Sequence, residues 1–81
     1  MIAVRFLHRD EWEIRLRDYG CEPLEGKGRL NTAEWWRMPW GTPFTVPIEE
    51  DGRCDEWAIH KLILDIVKDA PAGWEFPMPQ P

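Results

Sequence analysis

The stretch that most constrains this chain is Glu34 to Pro47, EWWRMPWGTPFTVP, which holds three of the six tryptophans and three of the eight prolines. Its pattern predicts a β-hairpin. Glu34 to Met38 reads as the outgoing segment, Pro39-Trp40-Gly41 as the reversal and Pro43 to Ile48 as the return. Proline fixes φ and glycine accepts positive φ, so Pro-x-Gly between aromatic and β-branched residues marks a turn. In the return segment Phe44, Val46 and Ile48 share one face by the period of two. Pro43 and Pro47 have the opposite parity, so both missing N–H donors lie along one edge of the strand. A central strand would need those donors, and the return segment is therefore expected at a sheet edge. Trp35 and Trp36 must point to opposite faces, so a covered sheet face takes only one of them.

Two helices flank the hairpin. Asp10-x-x-Glu13 has the form of a capping box and places helix one at about 10–19, with Trp12, Leu16 and Tyr19 on one face and Gly20 as its stop. Helix two is expected at about 55–69, with Asp55 as N-cap or first-turn acid, an apolar stripe of Trp57, Ile59, Leu62, Ile63, Ile66 and Val67, and Pro71 ending it. Met1 to Leu7 fits a short strand or a lead-in to helix one, and Cys21 to Leu24 a short strand ahead of a polar turn over 25–32. The fold class is α+β: a small two-layer domain of helix, three-stranded antiparallel sheet and helix, with an extra N-terminal strand as an option. The domain is expected over 1–73, with a proline-rich tail over 74–81 that Trp74 and Phe76 pin to the body. The core is expected from Trp12, Leu16, Phe44, Val46, Trp57, Ile63 and Ile66, plus one of Trp35 and Trp36.

Charge limits the partners. Fifteen acids against ten bases give a net charge of −5. Nucleic-acid affinity rests on neutralising phosphates with Lys and Arg, so direct binding to DNA or RNA is disfavoured. An acidic protein is attracted instead to basic surfaces. No basic segment followed by an apolar one opens the chain, and no run of roughly 18 apolar residues occurs. The expected setting is the cytoplasm of a bacterial host cell, with Cys21 and Cys54 as reduced thiols.

Chemistry-bearing patterns are sparse. Cys21, Cys54, His8 and His60 lack the short paired spacing of zinc ligands, so neither a metal nor a cofactor is expected. Cys54 and His60 fall about 240° apart around a helix, which is poor for a nucleophile and its base. Acids abound, yet none sits in an apolar setting that would mark it for proton transfer. The expectation is a protein without enzymatic activity. The densest charged run is 49–56, where Glu49, Glu50, Asp51, Asp55 and Glu56 face only Arg53. As a solvated loop it needs no function; as a set of carboxylates spaced like phosphates it suits a partner's Arg and Lys. The expected partner-binding residues are these five acids, the helix-one acids Glu13 and Asp18, and the aromatics Trp36 and Trp40. A large aromatic on the open sheet face and the unpaired strand edge also point to a homodimer.

Gly-Cys closing helix one and F-T-V-P closing the hairpin give the chain a pattern that resembles the HicA family of toxin mRNA interferases, which have a double-stranded-RNA-binding-like α-β-β-β-α fold. The resemblance covers Asp10 to Val67 and matches at Gly20, Gly28, Pro39, Gly41, Val46 and Pro47. It implies that fold, with RNA binding or cleavage as an alternative function. The family's catalytic histidine follows the loop glycine, where this chain has Arg29-Leu30-Asn31-Thr32-Ala33, so the resemblance does not carry the chemistry over. In size, acidity and lack of catalytic groups the chain looks like small phage-encoded anti-CRISPR inhibitors. That likeness implies a DNA mimic that blocks target DNA binding by a CRISPR surveillance complex.

Overall fold

The computed structural model describes residues 4–24 and 32–76. Its elements run β1 (Phe6–Leu7), α1 (Arg9–Asp18), β2 (Glu22–Pro23), β3 (Ala33–Arg37), β4 (Pro43–Pro47), β5 (Cys54–Asp55) and α2 (Glu56–Asp69). The protein is thus α+β, with a three-stranded antiparallel sheet ordered β2-β3-β4 whose strands fall between the two helices in the chain. The N-terminal strand does not join that sheet. It pairs with β5 as a separate two-stranded ladder, Phe6 opposite Asp55 and Leu7 opposite Cys54. Of the polar turn expected over 25–32, residues 25–31, Gly28 and Arg29 among them, lie outside the described residues, as do 1–3 and 77–81.

The hairpin forms as its sequence dictates. Met38 N–H donates to the Thr42 carbonyl at 2.7 Å and Gly41 N–H to the Met38 carbonyl at 2.8 Å. Gly41 sits at φ 99°, the conformation that favours glycine. In the β3–β4 register Trp36 faces Phe44 and Glu34 faces Val46, while Ile48 N–H donates to the Thr32 carbonyl at 3.0 Å. The even-numbered amides of the return strand therefore point at β3. Pro43 and Pro47 turn their missing donors outward along the sheet edge, where β4 lies.

Helix α1 begins earlier than the Asp10 capping box implies. His8 is its N-cap, and its backbone N–H donates to the Glu11 carboxylate at 3.3 Å. The working motif is thus His8-x-x-Glu11, with histidine standing where a hydroxyl or carboxylate is usual. The helix ends as Gly20 requires. Gly20, at φ 86°, donates to the Arg17 carbonyl and Cys21 to the Leu16 carbonyl, the paired bonds of a Schellman ending. A Cβ at Gly20 would stand 3.0 Å from Pro39 Cγ, so the glycine also admits the hairpin turn against the helix end. Asp55 caps α2, its carboxylate accepting from Trp57 N–H at 2.8 Å.

The core joins Trp12 and Leu16 of α1, Trp36, Met38, Val46 and Ile48 of the hairpin, Ile59 and Ile66 of α2, and Leu7, Cys21 and Cys54. Trp12 and Trp36 meet edge to face, with centroids 5.7 Å apart. Trp36, not Trp35, is thus the buried indole. Of the expected core residues, Trp57 is displaced to the surface, and Phe44 and Ile63 are only half buried at the edge of the core. Trp57 is 63% exposed, because the face of α2 that meets the body is centred on Ile59 and Ile66 and Trp57 lies well round from it. Phe44 lies at the hairpin's turn end. The tail returns to the body, where Trp74 packs on Trp40 at 5.3 Å and Phe76 on Tyr19 at 5.6 Å.

This placement ranks two truncations. Trp36→Ala should cost about 3–5 kcal/mol, enough to unfold so small a domain, and Phe44→Ala less than half of that. Urea denaturation of both variants checks the order. A greater loss at Phe44 would contradict the burial assigned here.

Candidate functional site

The acidic run is built as a rigid turn. Glu49 N–H donates to the Arg53 carbonyl at 2.7 Å, and Gly52 N–H donates to the Glu49 carbonyl at 2.8 Å. Gly52 is buried at φ 91°, and its carbonyl accepts the Trp12 indole N–H at 2.9 Å. A fully buried tryptophan of α1 therefore holds the turn from beneath. Asp51 folds back, accepting from Arg53 N–H at 3.1 Å and from Arg53 Nε at 2.7 Å. Those bonds, the backbone one foremost, hold the Asp51 carboxyl below its ordinary range.

The five acids divide by task. Asp51 shapes the turn and Asp55 caps α2. Glu56 bridges Arg15 at 3.2 Å and Arg5 at 3.5 Å, linking α2 to α1 and the N-terminal segment. Glu49 and Glu50 are exposed, and among the described residues neither side chain makes a hydrogen bond or ion pair. Of the helix-one acids, Glu13 is paired with Arg9 at 3.3 Å. Asp18 is exposed at the C-terminus of α1, where a negative charge opposes the helix dipole.

These residues do not form one patch. Trp12, which contacts the turn, lies in the first half of α1, whereas Asp18 is at the other end beside the Tyr19, Trp40 and Phe76 cluster. Trp40 is half buried in that cluster. Trp36 is withdrawn altogether: it is fully buried and donates its indole N–H to Glu34 Oε1 at 3.1 Å, so it is not a surface contact. The strand parity that assigned one of the two indoles to the covered face left open which, and the burial of Glu34 on the same face decides it.

Positive charge is largely consumed inside the molecule. Arg5, Arg9, Arg15, Arg37 and Arg53 all form ion pairs, and the Arg17 guanidinium lies 5.5 Å from the centre of the Trp36 ring. Among the described residues Lys61 and Lys68 alone remain outside such contacts. The carboxylates of Asp10, Asp18, Glu49, Glu50, Asp65, Asp69 and Glu75 are left without a cation among the described residues, as is Asp55, which caps α2 instead. Arg9–Glu13 and Arg53–Asp51 are local pairs, but no sequence pattern marks the rest of this sorting, because Arg9–Glu34, Arg15–Glu56 and Arg37–Glu22 join residues 25, 41 and 15 positions apart.

The thiols have no such outlet. Cys21 and Cys54 are buried and unpaired as a disulfide. Burial pushes the Cys21 thiol up to about 11 and the Cys54 thiol up to about 12, the latter also opposed by Asp55 and Glu49. A thiol held neutral in this way is a poor nucleophile. His60 is exposed and stacks against Trp57 at 5.5 Å. Among the described residues no three His, Cys, Asp or Glu side chains converge to hold a metal ion, and no helix is long and apolar enough to cross a membrane. Comparison of the chain with protein-family models, with curated proteins and with solved structures finds no match in any of the three.

The raised thiol values set an alkaline limit. The folded state keeps both protons above pH 9.0, where an unfolded chain loses them, so stability falls as pH rises from 9.0 towards 11 and 12. Melting temperature should decline over that window in wild type, and less in a Cys21→Ala/Cys54→Ala double variant when each is compared with its own value at pH 8. An equal decline in both would contradict the assignment.

Proposed function

We propose that this protein is a non-enzymatic binding protein that occupies a basic, nucleic-acid-binding surface of a protein partner. The reading extends to an inhibitor of the anti-CRISPR kind, a DNA mimic whose carboxylates take the place of backbone phosphates. One observation carries it: every described arginine is engaged internally, while Glu49 and Glu50 have no partner among the described residues and stand on a turn fixed from below by Trp12. Because the turn's backbone is already fixed, only the Glu49 and Glu50 side chains need be ordered on meeting a partner's Arg and Lys. They also raise the rate of encounter with a basic groove, a gain that salt removes once the Debye length falls to about 8 Å.

Asp51, Asp55 and Glu56 serve this surface indirectly, by shaping the turn and joining it to α2. The test is therefore best made with Glu49→Lys/Glu50→Lys, which leaves the internal pairs intact. Immobilised wild type exposed to a bacterial lysate should retain nucleic-acid-binding proteins that added DNA or moderate salt displaces. The double variant should melt within a degree or two of wild type and retain at least tenfold less of the same proteins. Equal retention by the variant would overturn the proposal, and retention of RNA by the purified wild type would favour the HicA-like alternative.

A further inference from the structure

Helix α2 is apolar on two sides. Ile59 and Ile66 are fully buried against the body. At about 100° per residue, Trp57, His60, Leu64 and Val67 make a second stripe about 120° round the helix. Trp57, Leu64 and Val67 are 63%, 54% and 48% exposed. A helix apolar on both sides is ordinarily covered on both, and an exposed strip of large apolar side chains, here Trp57, Leu64 and Val67 with His60 among them, marks a contact surface. Lys61 and Lys68, the two described cations without an internal partner, border this strip, with Asp65 on the same flank. At its amino end the strip opens on a groove of about 610 Å³ whose walls include Val4, Arg15, Trp57 and His60.

We propose that this strip is the contact between two copies of the chain, related by a two-fold axis that lays one α2 antiparallel across the other. The occupant is set by charge complementarity. In the register that puts Trp57 against Val67 of the second copy, His60 meets Leu64 of the second copy. The same register brings Lys61 to Asp65 of the second copy. A two-fold axis across antiparallel helices joins like flank to like flank, so the pair forms twice, Lys61 to Asp65 and Asp65 to Lys61. On the other flank Ile63 meets its own counterpart. The groove beside Trp57 leaves room for the carboxyl end of the second helix. A lipid surface would favour cations without an acid among them, and here Asp65 lies between the two lysines. The contact goes beyond the acidic-turn reading and does not depend on it, since neither Glu49 nor Glu50 takes part.

Sedimentation equilibrium of the full chain, from micromolar to millimolar, tests the proposal. The mass should rise from 9.6 kDa towards twice that value. Leu64→Lys should stay monomeric throughout with an unchanged circular dichroism spectrum. Lys61→Glu and Asp65→Lys should each weaken the dimer about tenfold, and the double swap should restore it to within about threefold of wild type. The exchange at these two exposed positions decides the question even if Leu64→Lys fails to fold. A wild type that stays monomeric at 1 mM, a dimer indifferent to Leu64→Lys, or a double swap no better than the single ones would overturn the proposal.

Discussion

The interaction on which the structure most depends is the pair of Arg9 and Glu34. Glu34 is buried on the covered face of β3, where an isolated carboxylate would cost several kcal/mol. Arg9 answers it with two parallel hydrogen bonds of 2.5 Å, and this contact above all raises the guanidinium's own pKa. The same carboxylate accepts the Trp36 indole N–H, and the same guanidinium lies 5.1 Å from the centre of the Trp12 ring. One ion pair thus fixes the rotamers of both core indoles and ties the first residue of α1 to the middle of the sheet. An arginine at a helix N-terminus runs against the dipole, and Glu34 is the reason it is there.

From that junction the order passes to the surface. Trp12, held between Arg9 and Trp36, spends its N–H on the carbonyl of Gly52. The turn carrying Glu49 and Glu50 is therefore anchored to the best-packed part of the core. Tight backbone bonds across the turn and the Asp51–Arg53 contact complete it. The result is a site whose exposed carboxylates are supported by other acids with internal tasks. This explains why local acidity overstates the free charge: three of the five acids in 49–56 are already engaged.

Much of the fold was legible in the sequence because it rests on local rules. Pro39 and Gly41 mark the reversal, Pro43 and Pro47 mark the edge strand, and Gly20 and Asp55 mark helix ends. What was not legible depends on groups far apart in the chain. Nothing local tells that Glu34 would be buried, since its partner Arg9 lies 25 residues away. Nor does the α2 pattern alone separate the Ile59–Ile66 face from the Trp57–Val67 face, because both are apolar at helical spacing. Trp57 followed the wrong one for that reason. The candidate site was legible as a dense acidic turn, but its division into structural and free carboxylates required the positions of Arg5, Arg15 and Arg53.

The central claim is that the buried indole of Trp12 holds the acidic turn in place. Amide hydrogen exchange in a Trp12→Phe variant tests it most directly, since phenylalanine keeps a ring in the core and removes the N–H that Gly52 accepts. With cooperative melting retained, protection at the Glu49 and Gly52 amides should fall about tenfold, in line with the loss of one buried hydrogen bond, while the β3–β4 ladder keeps its protection. Unchanged protection at those two amides would contradict the account.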